Sequence, residues 1–270
     1  MKDTTRAKFE NISKKLANKE VLVAFSGGVD STVLANVTKD TASRIVLLTI
    51  VSPTVPQNEL KEAMTIAAEL GLEHIVKSFD WLESGNLSEN PKDRCYRCKA
   101  ELAKLWKREA ESLGLEVVVE GTTATETEGY RPGLAALKES GVESPYLEEG
   151  VTKDEIREYA NEEGLSVADK PSGACLATRF PYGTTITNER LAMVENVETA
   201  VKELFGVECV RARFHGDLVR IEVGQDEMEH MFDLESLDRL NQIAKTAGFT
   251  YATLDTRGYR TGAMDESLTS

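Results

Sequence analysis

Val21-Leu22-Val23-Ala24-Phe25-Ser26-Gly27-Gly28-Val29-Asp30-Ser31-Thr32 is the stretch around which the rest of the chain is read. Its apolar run predicts a buried strand over 20–25, and Val29, Val33, Leu34 and Val37 then recur on one face of a helix running to about Lys39. A strand, a glycine turn and a helix N-terminus in succession make an anion cradle. Glycines let the backbone approach a ligand and take positive φ, while unpaired amides and the helix dipole point at negative charge. Asp30 and Ser31 fall in the first turn. There the hydroxyl can donate to a phosphate oxygen, and the carboxylate can hold a metal or brace the loop.

No Gly-Lys-Ser/Thr follows, so this is not the Walker A pattern. The stretch resembles the Ser-Gly-Gly-x-Asp-Ser PP-loop of the ATP pyrophosphatases. Those enzymes cut ATP between the α and β phosphates and adenylylate a substrate oxygen.

Outward from this loop, strand and helix patterns alternate. Phe9, Ile12 and Leu16 mark a helix over 4–17, and Arg44–Val51 is a second apolar strand. A helix then runs to Leu70 and stops at Gly71, and His74–Val76 is a third strand. A helix spans Lys99 to Leu113 before Gly114, Glu116–Glu120 is a fourth strand, and Thr152 opens a helix over Lys153–Glu163. Alternation of this kind predicts an α/β fold with a parallel sheet, and in such sheets ligands bind at the carboxyl ends of the strands. The Ser26 loop, Ser52 and Gly121-Thr122 all stand at those ends. Beyond Pro171 the pattern changes to a helix over Asn188–Phe205, a hairpin of Glu208–Phe214 with Leu218–Val223, a helix over Glu227–Ala247 and a strand over Thr250–Asp255. A second, smaller α+β domain is expected there, with the division at 1–168 and 169–270.

At 270 residues, 41% hydrophobic and 29% charged, the composition is that of a globular protein with ample core. No apolar run approaches the length of a membrane span, and the first 20 residues are polar rather than a signal peptide, so no membrane role and a cytoplasmic location are expected. A net charge of −14 argues against a nucleic-acid partner, because no overall field draws the chain to phosphate-rich polymers.

Four cysteines in a reducing compartment point to metal or redox chemistry rather than structural disulfides. Cys95-Tyr96-Arg97-Cys98 reads as a loop just before a helix. It can be a redox pair, half of a zinc site, two ligands of an iron–sulfur cluster or two unconnected thiols. Cys175 lies among glycines and prolines, on a loop where the two domains join, with Arg179 four residues on. In Val207–Phe214, alternation places Cys209, Arg211 and Arg213 on one face and Val210, Ala212 and Phe214 on the other. The apolar face meets the core, leaving the arginines outward or in a cleft, where their forked donors suit a phosphate. A solvated face fits the same pattern. His74 and His230 have no partner at ligand spacing, and His215, next to the arginines, reads as a turn residue that could touch an anion.

Taken together, the Ser-Gly-Gly-Val-Asp-Ser loop, Gly121-Thr122, Tyr130-Arg131-Pro132-Gly133-Leu134, Arg179-Phe180-Pro181-Tyr182-Gly183-Thr184, Val210–His215 and Gly258-Tyr259-Arg260-Thr261-Gly262 resemble the LarE family over nearly the whole chain. This is the pyridinium-3,5-biscarboxylic acid mononucleotide sulfurtransferase family, which helps to make a nickel-pincer nucleotide cofactor.

The resemblance implies a Rossmann-like, adenine nucleotide alpha-hydrolase-like sheet and a two-stage reaction. ATP, with Mg²⁺, is held by Ser26, Gly27, Gly28, Asp30, Ser31, Gly121 and Lys153. A pyridinium carboxylate is adenylylated, and sulfur then displaces AMP to leave a thiocarboxylate. Some members sacrifice the sulfur of the cysteine matching Cys175. Others add a CxxC and hold a 4Fe–4S cluster, which here implies Cys95, Cys98 and Cys175 as ligands, with sulfur from sulfide or a sulfur carrier. Arg211 and Arg213, with Arg179 and Glu198, match positions for the mononucleotide phosphate, and a homo-oligomer is implied. The family's asparagine and aspartate pair after Gly121-Thr122 is replaced by Thr123, Thr125 and Glu126, a departure that removes the family's metal ligands there and leaves Glu126 or Glu128 as candidate replacements. A PP-loop tRNA thiolation enzyme and an ammonia-using amidotransferase are the nearest rivals.

Overall fold

The run of apolar residues on either side of the Ser26 loop is long enough to bury both faces of a sheet, and the fold uses both. In the computed structural model, which describes residues 1–127, 132–171, 173, 175–260 and 263, two compact units are formed. The first comprises Met1–Ser52, Gln57–Asp80 and Asp93–Gly173, and the second Pro53–Pro56, Trp81–Lys92 and Ala174–Ser270.

The first unit carries strands β1 (Glu20–Ala24), β2 (Arg44–Val51), β3 (Glu73–Ser78) and β4 (Val117–Val119) in the order β3-β2-β1-β4, all parallel. Its helices are α1 (Asp3–Leu16), α2 (Val29–Lys39), α3 (Gln57–Leu70), α4 (Arg94–Leu113), α5 (Pro132–Ser140), α6 (Pro145–Glu148) and α7 (Lys153–Glu162). Successive strand residues point to opposite faces. Val21, Val23, Ile45 and Leu47 therefore meet Phe9, Ile12, Val33, Ala63 and Ile156 on one side. Leu22, Val46 and Leu48 meet Ala103, Trp106 and Leu137 on the other. The chain grows outward from β1 to β3 and then returns to β4 on the far side of β1. The crevice beyond the carboxyl ends of β1 and β4 is thus the switch point where doubly wound sheets take ligands.

The second unit is a three-stranded sheet, β5 (Val210–His215), β6 (Leu218–Val223) and β7 (Tyr251–Leu254), with β5 antiparallel and β7 parallel to β6. Helix α8 (Asn188–Phe205) is capped by the Thr187 hydroxyl on the Arg190 amide and ends at Gly206 in the left-handed region. It packs on β5, burying Val194, Val197 and Val201 with Val210 and Ala212, and α9 (Leu234–Ala247) lies against it.

Two sequence expectations change. The CxxC is not in a loop: α4 begins at Arg94, so Cys95 and Cys98 occupy its first two turns, and Arg97 Nε reaches back 2.8 Å to Asp93 Oδ2 to support the added turn. The helix expected over Glu227–Ala247 is broken. Asp233 takes an extended conformation and its carboxylate accepts the Ser236 amide at 2.8 Å, so α9 starts afresh after a short 3₁₀ turn, Met228–Met231. Among the described residues no helix is long and apolar enough to cross a membrane.

Candidate active site

After β1, Gly27 takes φ +69°, and a Cβ there would stand 2.6 Å from Ala63 Cα, so only glycine lets the loop lie on α3. Gly28 caps α2 without any side-chain bond, leaving the first amides of the helix outside its ladder and available to an anion. The loop is tied by its own serines. Ser31 Oγ donates to the Gly28 carbonyl (3.2 Å) and accepts the Ser26 amide (3.2 Å), while Ser26 Oγ accepts the Gly28 amide at 3.3 Å.

Gly121, at the end of β4, lies against this first turn: a Cβ on it would be 3.2 Å from Asp30 Cβ and 3.3 Å from the Ser31 nitrogen. Lys153, first residue of α7, is ion-paired to Asp30 Oδ2, whereas Asp30 Oδ1 is buried without a hydrogen-bond partner. Tyr146 donates its hydroxyl to the Asp30 carbonyl at 3.0 Å. Its complete burial, with the Asp30 charge second, holds that phenol well above the usual range, so it remains a donor. Ser26, Gly27, Gly28, Asp30, Ser31, Gly121 and Lys153 are therefore brought together in one unit.

Lys99 Cγ and the Cys95 carbonyl, in the first turns of α4, are close to Gly133; a Cβ there would lie 3.1 and 3.5 Å from them. Tyr96 donates to Glu139 Oε2 of α5 at 2.5 Å. Cys95 is exposed and Cys98 half-buried.

In the second unit, Cys175 is exposed and precedes a 3₁₀ turn, Leu176–Arg179. The arginine face of β5 is not a solvated one: this turn covers Arg213, and Arg211 is half-buried. Arg213 is 4% exposed; its Nε and Nη2 bind Glu222 Oε2 (3.0 and 2.7 Å), and its Nη1 donates to the Thr178 carbonyl at 3.0 Å. Arg179, equally buried, forks onto Glu198 (2.6 and 2.9 Å), and Glu198 also accepts the Ala212 amide at 2.8 Å. Arg211 lies over the Tyr259 ring at 5.1 Å, and burial, then the neighbouring Arg179 charge, pulls its pKa below the usual guanidinium range. Arg179, Glu198, Arg211 and Arg213 thus form one cluster. Cys209 sits just before β5, and burial pushes its thiol up. Among the described residues no three His, Cys, Asp or Glu side chains group to hold a metal ion. The Glu126 side chain, Glu128, Tyr130, Arg131, Thr261 and Gly262 lie outside the described residues.

Residues 1–113 match the family model of the PP-loop domain. The chain is 37% identical over 265 residues to an uncharacterized protein of Synechocystis sp., covering 97% of this chain and 98% of the relative. It is 34% identical over 251 residues to the pyridinium-3,5-bisthiocarboxylic acid mononucleotide synthase of Lactiplantibacillus plantarum, covering 92% and 90%. The chain belongs to the LarE family. An uncharacterized protein of Methanocaldococcus jannaschii is 29% identical over 216 residues, covering 80% and 82%. As a LarE-family PP-loop protein it is an ATP-using sulfurtransferase.

Sequence reasoning missed several ion-paired or hydrogen-bonded residues, two in the first unit and one in the second. Lys170 Nζ holds the Gly27 carbonyl at 2.9 Å while pairing with Glu62 at 2.7 Å. Glu120, buried at the end of β4, accepts the hydroxyls of Thr122 (2.6 Å) and Ser144. Glu222 is fully buried between Arg213 and Arg220. Lys170 lies 143 positions from its partner, which no local pattern reveals. A lone acidic residue in an apolar strand, as at Glu222, is the one signal that was there to read.

Proposed function

We propose that this enzyme adenylylates a carboxylate of pyridinium-3,5-biscarboxylic acid mononucleotide and converts it to a thiocarboxylate, within nickel-pincer nucleotide cofactor biosynthesis. The observation that carries this reading is the convergence of the Ser26–Ser31 loop, Gly121 and the Lys153–Asp30 pair at the switch point, in a chain 34% identical to the L. plantarum synthase over 92% of its length.

The α2 amides and the Ser31 hydroxyl hold the phosphates, and Lys153 compensates their charge. A carboxylate oxygen of the substrate attacks the α-phosphorus, pyrophosphate leaves, and an acyl-adenylate results. A sulfur nucleophile then adds to the acyl carbon and AMP departs, so the thiocarboxylate replaces a poor leaving group by way of a good one.

Asp30 Oδ1, buried and without a partner, fits Mg²⁺, which is commonly bound by one or two carboxylates together with substrate phosphates. When bound, it spreads phosphate charge. The thiols of Cys95, Cys98 and Cys175 suit iron–sulfur chemistry, and a 4Fe–4S cluster on them supplies, when bound, an iron site for extra sulfide. The two thiols on the first turns of α4 support this cluster type, since a chain sacrificing Cys175 has no use for them. Sacrifice of the Cys175 sulfur is the second reading. Arg211, with Arg179, Arg213 and Glu198, is the proposed site of the mononucleotide phosphate, supported by their common cluster.

Residues 1–168 serve as the ATP pyrophosphatase domain and 169–270 as a substrate-binding and oligomerisation domain. The protein works as a cytoplasmic homo-oligomer with a small-molecule substrate and sulfide or a sulfur carrier, without nucleic acid or membrane.

The test is to incubate anaerobically purified protein with Mg-ATP, the biscarboxylic acid mononucleotide and sulfide, following pyrophosphate and product mass while counting iron. One pyrophosphate per thiocarboxylate and about four irons per chain are expected. Colourless protein that loses one sulfur at Cys175 establishes the sacrificial route. No pyrophosphate with this acid rejects the substrate assignment, and a tRNA gel shift at moderate salt tests the thiolation rival.

A further inference from the structure

We propose that Glu222 is a positioning residue for the Cys175 thiol, acting through Arg213 and the carbonyl of Thr178. The inference rests on the reading that Cys175 bears sulfur. Glu222 belongs to β6 and is fully buried. A carboxylate without water is held only by charge partners. Here Oε2 takes both Nε and Nη2 of Arg213, and Oε1 takes Nη2 of Arg220 at 2.9 Å.

Arg213 and Arg220 stand directly opposite in the β5–β6 register, where like charges repel. Glu222 lies two residues along from Arg220 on the same face and bridges both, one oxygen to each, while Arg220 also pairs with Asp255 Oδ2 at 3.5 Å. Its grip on one side of the Arg213 fork aims the remaining nitrogen, Nη1, at the Thr178 carbonyl. Thr178 in turn donates its amide (3.0 Å) and its hydroxyl (2.8 Å) to the carbonyl of Cys175. The path from the buried carboxylate to the thiol-bearing residue is therefore an unbroken series of directional bonds within one unit.

A second pair works on the same turn from the other side. Arg179, fixed by Glu198, donates Nη1 to Thr178 Oγ1 at 2.8 Å and to the Cys175 carbonyl at 3.5 Å. The turn itself is only four residues long and carries an exposed thiol, so Cys175 gains no placement from packing of its own side chain. Buried ion pairs add little net stability over apolar packing, but they do set direction. Direction is what a sulfur donor needs, since a misplacement of about 1 Å can cost on the order of a hundredfold in rate.

The test uses the full chain and Glu222→Gln, which preserves shape but releases the fork. With ATP and the biscarboxylic acid mononucleotide, the thiocarboxylate formed per pyrophosphate released is expected to fall about tenfold or more. Iodoacetamide labelling of Cys175, read by peptide mass spectrometry against half-buried Cys209, is expected to rise several-fold. Wild-type labelling of Cys175 overturns the proposal. So does a ratio of thiocarboxylate to pyrophosphate equal to that of the wild type, which leaves sulfur delivery untouched. If Glu222→Gln does not fold, Arg213→Lys keeps a cation on Glu222 without the fork, and its Cys175 labelling decides the matter in the same way. Thiocarboxylate formation surviving in Cys175→Ser defeats the sulfur reading alone, because the labelling result judges the brace independently.

Discussion

Lys153 and Asp30 form an ion pair through one oxygen of the carboxylate, while the other oxygen is buried with no hydrogen-bond partner. The two residues are 123 positions apart and come from the first turns of α7 and α2. Each helix N-terminus thus presents one charge of the pair to the end of β1. An incoming polyphosphate offers the ammonium a second anionic partner, and a divalent cation suits the oxygen left over.

Lys153→Met removes that ammonium. Hydrogen bonds to charged groups contribute ~1.5–3 kcal/mol, so kcat/KM for pyrophosphate release should fall about 10- to 100-fold. An unchanged kcat/KM would remove Lys153 from the phosphate site.

Gly27→Ala faces two obstacles: φ of +69° and a Cβ placed 2.6 Å from Ala63 Cα. Left-handed backbone in a non-glycine residue costs on the order of 1–3 kcal/mol, and the clash adds to it, so urea unfolding should show a loss of at least about 2 kcal/mol. Ala63→Gly should not rescue it, because the Cα that is struck remains. Full rescue by that second substitution would show that the methyl group, not the backbone, sets the constraint.

Glu155 closes the capping box of α7 and so supports the residue that follows the cap, Lys153. Burial raises its pKa, but hydrogen bonds from Lys8, the Thr152 amide and the Thr5 hydroxyl outweigh burial and hold it below the ordinary 4.5. The unfolded chain therefore takes up the proton first. The stability it contributes is complete above the unfolded value of 4.5 and is lost as pH falls through the lower folded value. Denaturant titrations of wild type and Glu155→Gln should differ at neutral pH and converge in acid; a constant difference would contradict the linkage.

His74 obeys the same linkage at a higher pH. Burial lowers its pKa from 6.5, and its Nε2 lies 2.8 Å from Thr49 Oγ1, whose hydrogen goes to the Phe25 carbonyl. Thr49 is thus the acceptor in the His74 pair, which places the ring proton on Nε2. The folded form resists the second proton, so stability is full above 6.5 and declines as pH drops toward the folded value. His74→Gln should flatten that decline, measured as unfolding free energy between neutral and mildly acid pH.

Much of the first unit was legible because its signals are local. The strand, glycine turn and helix from Val21 to Val37 needed only neighbouring residues; in the second unit, α8 spans the expected Asn188–Phe205. Failures came where a short-range bond overrode composition. Arg97 reaching back to Asp93 drew the CxxC into α4, and Asp233 capped a new helix inside an otherwise helical pattern.

On its own, then, the sequence determined most of the elements, the strand–helix alternation and the phosphate-binding character of the Ser26 loop, because periodicity and capping act within a few residues. It also told which β5 residues share a face. What that face meets was decided by the tertiary structure: the Thr178 carbonyl, 35 positions away, covers Arg213, and Glu222 across the hairpin claims the rest of its fork. A period of two specifies a side, whereas the partner on that side depends on where distant chain returns.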